Sequence, residues 1–138
     1  MNRNYKKRYE SRPQPNFEEK AKRPVRKYEP SDADLAFEGD SPRSLARLFD
    51  KTFSEDTRNG FIDPSSHLIY INLALNEKSS IQLKVNALST LETNFSTLLT
   101  PLKQEDIYYE AKDSIEWISI FSDNDEISNK AKDILALF

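Results

Sequence analysis

Few side chains in this sequence can carry bond-making chemistry. His67 is the single histidine, cysteine is absent, and the only glycines are Gly39 and Gly60. A lone histidine beside Leu68 at a helix start reads as a capping or packing group, because general acid–base work needs a partner that orients and polarises the ring. Without a second histidine or any thiol, zinc sites, thiolate nucleophiles and disulfides drop out together. Two isolated glycines build no phosphate-cradling loop. The carboxylate groups Glu105/Asp106 and Asp123/Asp125/Glu126 fall at expected helix starts, where negative charge complements the helix dipole. Asp123-Asn124-Asp125-Glu126 has the look of a calcium loop, but its glycine is missing and its twelfth position is Ile134 instead of a bidentate Glu. The expectation is therefore a non-enzymatic protein with no cofactor and no metal.

Charge offers more. The chain carries a formal −3 at pH 7; residues 1–30 hold ten Lys or Arg against four acids and contribute +6, which leaves −9 on residues 31–138. A mild overall balance thus hides two parts of opposite sign. Within the basic part, Lys6-Lys7-Arg8 is followed after eleven residues by Lys20-Ala21-Lys22-Arg23. An extended chain covers about 3.3–3.6 Å per residue, so the two clusters can reach two acidic pockets of an import receptor. Lys6, Lys7, Arg8, Lys20, Lys22 and Arg23 are accordingly candidates for a bipartite nuclear-import signal. The alternative use of the arm is nucleic-acid binding: Tyr5, Tyr9, Phe17 and Tyr28 interleave with the cations and offer rings on which bases stack. Such binding would be weak and salt-dependent, because the −9 domain behind the arm repels a polyanion.

The elements that would position these groups divide the chain in two. Residues 1–40 are expected to be a disordered basic arm: Pro13, Pro15, Pro24 and Pro30 punctuate it, and its apolar residues follow no helix or strand period. Residues 31–39 stand apart within it, acidic with a small Leu35/Phe37 anchor that would dock on the domain or on a partner.

Residues 41–138 are expected to be an all-α interaction domain of about five amphipathic helices. Ser41-Pro42 signals a helix start, followed by Leu45, Leu48, Phe49 and Phe53 on one face. Residues 54–63 read as a loop turning at Asn59-Gly60. Asp63-Pro64 opens a second helix to about Asn76; Leu68 to Leu75 alternates enough to suggest a strand, but the cap and the all-round apolar character favour a central helix. Ser79 or Ser80 caps a third helix, striped by Ile81, Val85, Leu88, Phe95, Leu98 and Leu99. Thr100-Pro101 breaks it and caps a fourth, running to about Phe121 with Ile107, Tyr108, Ala111, Ile115, Ile118 and Phe121 on its stripe. After the polar break at 122–125, the last helix carries Ile127, Ala131, Ile134, Leu135 and Phe138.

Helices of this length joined by short loops form either a helical solenoid fragment or a small bundle. Over residues 66–138 the later helices recur about every twenty residues, each apolar on one face, and the chain there resembles a HEAT- or armadillo-type helical repeat. The segment Leu73-Ala74-Leu75-Asn76-Glu77-Lys78-Ser79-Ser80-Ile81-Gln82-Leu83-Lys84-Val85-Asn86-Ala87-Leu88 is also faintly similar to the helical core region of ARID-type SWI/SNF chromatin-remodelling subunits. There a leucine-rich helix, a Ser/Gly turn and a helix with an Ala-Leu-Asn-like centre follow one another; here the turn is longer and the order is Asn86-Ala87-Leu88. Both resemblances imply a scaffolding role. Neither carries over a functional residue.

Two readings stay open for Tyr109 and Trp117. Exposed, they mark a partner-binding surface, since such residues dominate interface energetics; alternatively, Trp117 packs under the fifth helix. With Leu35 and Phe37 they are the candidate partner-binding residues. Ser41-Pro42-Arg43 and Ser31-Asp32-Ala33-Asp34 match short phosphorylation motifs, and Asn94-Phe95-Ser96 matches a glycosylation sequon by chance. No apolar run approaches the roughly 20 residues that span a bilayer, and no secretory leader is recognisable. The expectation is a subunit of a multi-protein complex, nuclear and chromatin- or transcription-related or otherwise cytoplasmic, with no membrane contact and no secretion.

Overall fold

The computed structural model describes residues 31–138. Among these residues there are seven α-helices, one 3₁₀ turn and no strand. The all-helical class expected from periodicity holds. The count exceeds five because one helix lies upstream of residue 41 and another is split by a kink.

The upstream helix, α1 (Asp32–Glu38), starts on a capping box. The Ser31 hydroxyl accepts from the Asp34 amide, and the Asp34 carboxylate accepts from the Ser31 amide, both at 3.2 Å. Residues 31–39, counted with the arm on composition, thus contain a helix that packs against the helices Ser66–Leu75 and Pro42–Asn59. What buries α1 is the small Ala36, not the expected anchor; Leu35 and Phe37 point outward at 45% and 60% exposure. Asparagines tie it down. Asn72 Nδ2 donates to the Ala33 carbonyl at 3.0 Å, and Asn76 Nδ2 lies within 3.2 Å of the carbonyls of Ala36, Phe37 and Gly39. The chain leaves α1 through Gly39, where a Cβ would stand 2.8 Å from the Leu35 carbonyl and 2.6 Å from Leu45 Cδ2. No larger residue fits that crossing unchanged.

Helix α2 (Pro42–Asn59) begins as the sequence indicates, with Ser41 capping and Pro42 in the first turn. It does not stop at Phe53. Thr52 and Asp56 continue the inward stripe of Leu45 and Leu48, so the helix persists through 54–59, read from sequence as loop. The stripe turns polar there, which is why hydrophobic periodicity loses it. Gly60 ends the helix in the left-handed region (φ 77°), as glycine does without steric cost.

Asp63 then caps an entry turn instead of the helix itself: its carboxylate accepts from the Ser65 amide and hydroxyl at 3.1 and 2.7 Å. Helix α3 (Ser66–Leu75) follows and is central. It contacts α1, α2, α4 and α6, and burial on every side explains its continuous apolar run. Tyr70, Ile71 and Leu73 are buried within it.

Ser80 caps α4 (Ile81–Thr93). The expected long third helix breaks at Asn94, where Thr90 Oγ1 returns to the Asn86 carbonyl and Asn94 Nδ2 to the Thr90 carbonyl. A short α5 (Phe95–Leu98) continues it. Thr100-Pro101 opens a 3₁₀ turn (Thr100–Leu102), so α6 (Asp106–Phe121) starts later than expected. Asn124 caps α7 (Asp125–Leu135) through the Ile127 amide at 3.0 Å. Near the chain end, Phe138 packs against Phe95 and Tyr108, each with ring centroids 4.9 Å apart.

The pairing is regular. α3 packs with α4 and α6 with α7, while α3 also meets α6 and α4 meets α7. Two helical hairpins are thus stacked like on like, with α1 and α2 covering α3. Leu88, Leu91, Leu98, Ile115 and Ile134 fill the space between them with no exposure.

Candidate interaction face

The stacking places two hairpin turns, 76–80 and 122–124, at one end of the domain. Between them lies a groove of about 370 Å³, lined chiefly by Leu75, Ile81, Lys84, Trp117, Phe121 and Ile127. Trp117 and Phe121 are one turn apart on α6, so their rings meet, with centroids 4.9 Å apart. Both are more than half exposed, as are Ile81 and, on the same last turn of α6, Ile120. Three large exposed apolar side chains, Ile81, Trp117 and Phe121, therefore line one concavity, with Glu77 and Asp123 among its polar residues. Contiguous exposed apolar surface of this kind marks sites of association.

The sequence candidates separate. Trp117 is exposed and lines the groove, so it does not pack under the last helix. Tyr109 is exposed but lies two turns upstream on α6, stacked edge-on against Tyr108 at 5.2 Å. Leu35 and Phe37 are exposed on α1 and do not line the groove. The import candidates Lys6, Lys7, Arg8, Lys20, Lys22 and Arg23, and the stacking candidates Tyr5, Tyr9, Phe17 and Tyr28, lie outside the described residues. Sequence reasoning assigned Ile81 and Phe121 to buried stripes. Their periodicity is genuine, but they sit at helix ends beside the turns, where no neighbouring helix reaches over them. Ile120 gave no signal.

His67 is 1% exposed. Its Nδ1 hydrogen-bonds to the Pro64 carbonyl, while Nε2 is buried without a partner. Burial pushes its pKa below the ordinary histidine value, outweighing the opposite pull of the Pro64 carbonyl. The ring is a neutral packing group that closes the turn into α3. Asp123 to Glu126 form the break and first turn of α7, with Asn124 as cap. Among the described residues no group of three acidic or histidine side chains converges as metal ligands, and no helix is long and apolar enough to cross a membrane.

No protein family, curated protein or solved structure matches the chain.

Proposed function

We propose that this protein is a non-enzymatic adaptor or scaffold subunit of a larger assembly, and that its helical domain holds a partner through the groove between the α3–α4 and α6–α7 turns. The exposed Trp117–Phe121 pair carries this reading. Aromatic rings in water cost free energy that a partner's apolar surface recovers, and Trp is the residue most enriched at binding hot spots. The occupant that suits it is an amphipathic helix laying its apolar face into the groove. A basic residue beside that face would suit the acidic balance of the domain (−9 over residues 31–138) and the Glu77 and Asp123 carboxylates. The like-on-like stacking of two hairpins supports the solenoid-fragment reading, since such repeats bind along exposed helix and turn surfaces. The nuclear, chromatin- or transcription-related setting rests on the clusters Lys6-Lys7-Arg8 and Lys20 to Arg23 and belongs to the same proposal.

The test begins with the tagged full chain purified from its own cells at about 0.5 M salt, where exposed charge contacts are largely screened. The expected result is a fixed set of proteins at near-equal stoichiometry. Trp117→Ala should lose that set while Ile62→Ala, an exposed apolar change elsewhere, keeps it. A purified member of the set should then bind the wild-type chain and not the Trp117 variant. Recovery of nucleic acid alone, and only at low salt, would overturn the proposal and make the basic arm the main functional element.

A further inference from the structure

A second concavity, of about 350 Å³, opens between α2, the entry turn of α3 and the start of α1; Thr52, Glu55, Asp56, Asp63 and Ser66 line it, with Ser31 and Asp32 at one side. Two of these groups are 3% exposed. Asp56 is one. Its carboxylate accepts from Ser66 Oγ at 2.9 Å and from the Tyr70 hydroxyl at 2.7 Å. Both donors are neutral, and among the described residues no cation contacts it. A buried charge normally has an opposite charge beside it, because desolvation is otherwise uncompensated. Thr52 is the other. It stands one turn before Asp56 on the same helix face, and its Oγ1 has no hydrogen-bond partner, although a helical threonine usually returns its hydroxyl to the carbonyl four residues back.

The rest of the lining has the same sign. Glu55 is exposed at the mouth. Asp63 holds Ser65. Asp32 is paired with a cation, Lys51 Nζ at 3.2 Å. The C-terminal turn of α2 adds the negative end of its dipole, and Asp63 offsets the positive start of α3.

We propose that this concavity is a binding site for the cationic head of a basic polypeptide side chain, arginine in preference to lysine. The guanidinium fork presents several donors in one plane, enough to meet the Asp56 carboxylate and the idle Thr52 oxygen together. Two sources carry this chemistry. One is a basic segment of a partner. The other is residues 1–30 of the same chain, net +6, which join the domain at Ser31; Arg26 and Lys27 stand five and four residues before it, within reach at about 3.3–3.6 Å per residue. The site shares no residue with the Trp117 groove, so either proposal can fail alone.

The experiment follows the backbone amide signals of Thr52, Asp56 and Ser66 by NMR. The samples are the full chain and a full-length variant with Arg23→Gln, Arg26→Gln and Lys27→Gln. Each is titrated with the peptide acetyl-Gly-Arg-Arg-Gly-amide and with its Gln-Gln counterpart, at about 0.1 M salt. The Arg peptide should shift the three signals saturably in the charge-removed chain and the Gln peptide should not. If charge removal alone moves them before any peptide is added, the chain's own arm is the source; if it does not, a separate polypeptide is. Thr52→Val, which keeps the side-chain shape, should weaken peptide binding by roughly tenfold to a hundredfold, the factor of one hydrogen bond to a charged group. Glu55→Gln, at the exposed mouth, should also weaken it without altering the fold. Absence of saturable shifts in both chains, or Thr52→Val binding as wild type does, would overturn the assignment.

Discussion

The Tyr70 hydroxyl donates to the Asp56 carboxylate across 2.7 Å, tying the end of α2 to the middle of α3 inside the core. Both groups are almost fully buried. Burial first, and then the hydrogen bond and charge of Asp56, raise the phenol pKa well above its ordinary value. Tyr70→Phe keeps the ring and leaves the carboxylate with Ser66 alone. Urea unfolding should show a loss of about 1–3 kcal/mol, the cost of a buried acceptor deprived of a donor. Unchanged stability would mean that the bond contributes nothing net.

Asn76 spans the α3–α4 turn and the end of α1 with one side chain. Its Nδ2 lies on the carbonyls of Ala36 and Phe37 in α1 and of Gly39 just past it, while its Oδ1 accepts from the Lys78 amide at 2.8 Å. Asn76→Ala should raise amide exchange across Asp32–Gly39 toward that of free chain, with smaller changes in α6 and α7. Global stability should fall by about 1–3 kcal/mol. Unaltered exchange in α1 would show that Ala36 packing and the Asn72 bond hold it without Asn76.

His67 gives a pH dependence of defined sign. Its folded pKa lies below the ordinary 6.5, so at lower pH the unfolded chain binds more protons than the folded one. The stability due to neutral His67 is complete above pH 6.5 and is lost as pH falls through the folded value. The melting temperature should therefore drop on acidification from pH 7 toward the range where carboxylates begin to titrate. His67→Asn, which retains a donor for Pro64, should flatten that slope. A wild-type slope of opposite sign would contradict the burial.

Trp117 is the single tryptophan, which makes its environment directly readable. At 55% exposure it should fluoresce at long wavelength and be quenched readily by acrylamide. Trp117→Ala should cost about 1 kcal/mol or less in stability, as surface changes do. A large loss of stability would return Trp117 to the core and remove the interaction face.

Composition and local pattern alone determined the helical class, the cap at Ser41, a serine cap at 79 or 80, a polar break at 122–125, the central place of α3 and the charge division between residues 1–30 and 31–138. These depend on interactions within a few residues, or on net charge, and such information is local. Tertiary structure decided the rest. Whether Trp117 and Phe121 face water depended on which helix end lacked a neighbour, and periodicity carries no record of that. α1 is held through one small alanine and two asparagines forty residues away, and so has no apolar stripe to announce it. α2 runs past Phe53 with Thr52 and Asp56 buried, and Asp56 is bonded there to Ser66 and Tyr70. The buried Asp56 carboxylate meets its two donors, Ser66 and Tyr70, only in the folded chain, ten and fourteen residues further on.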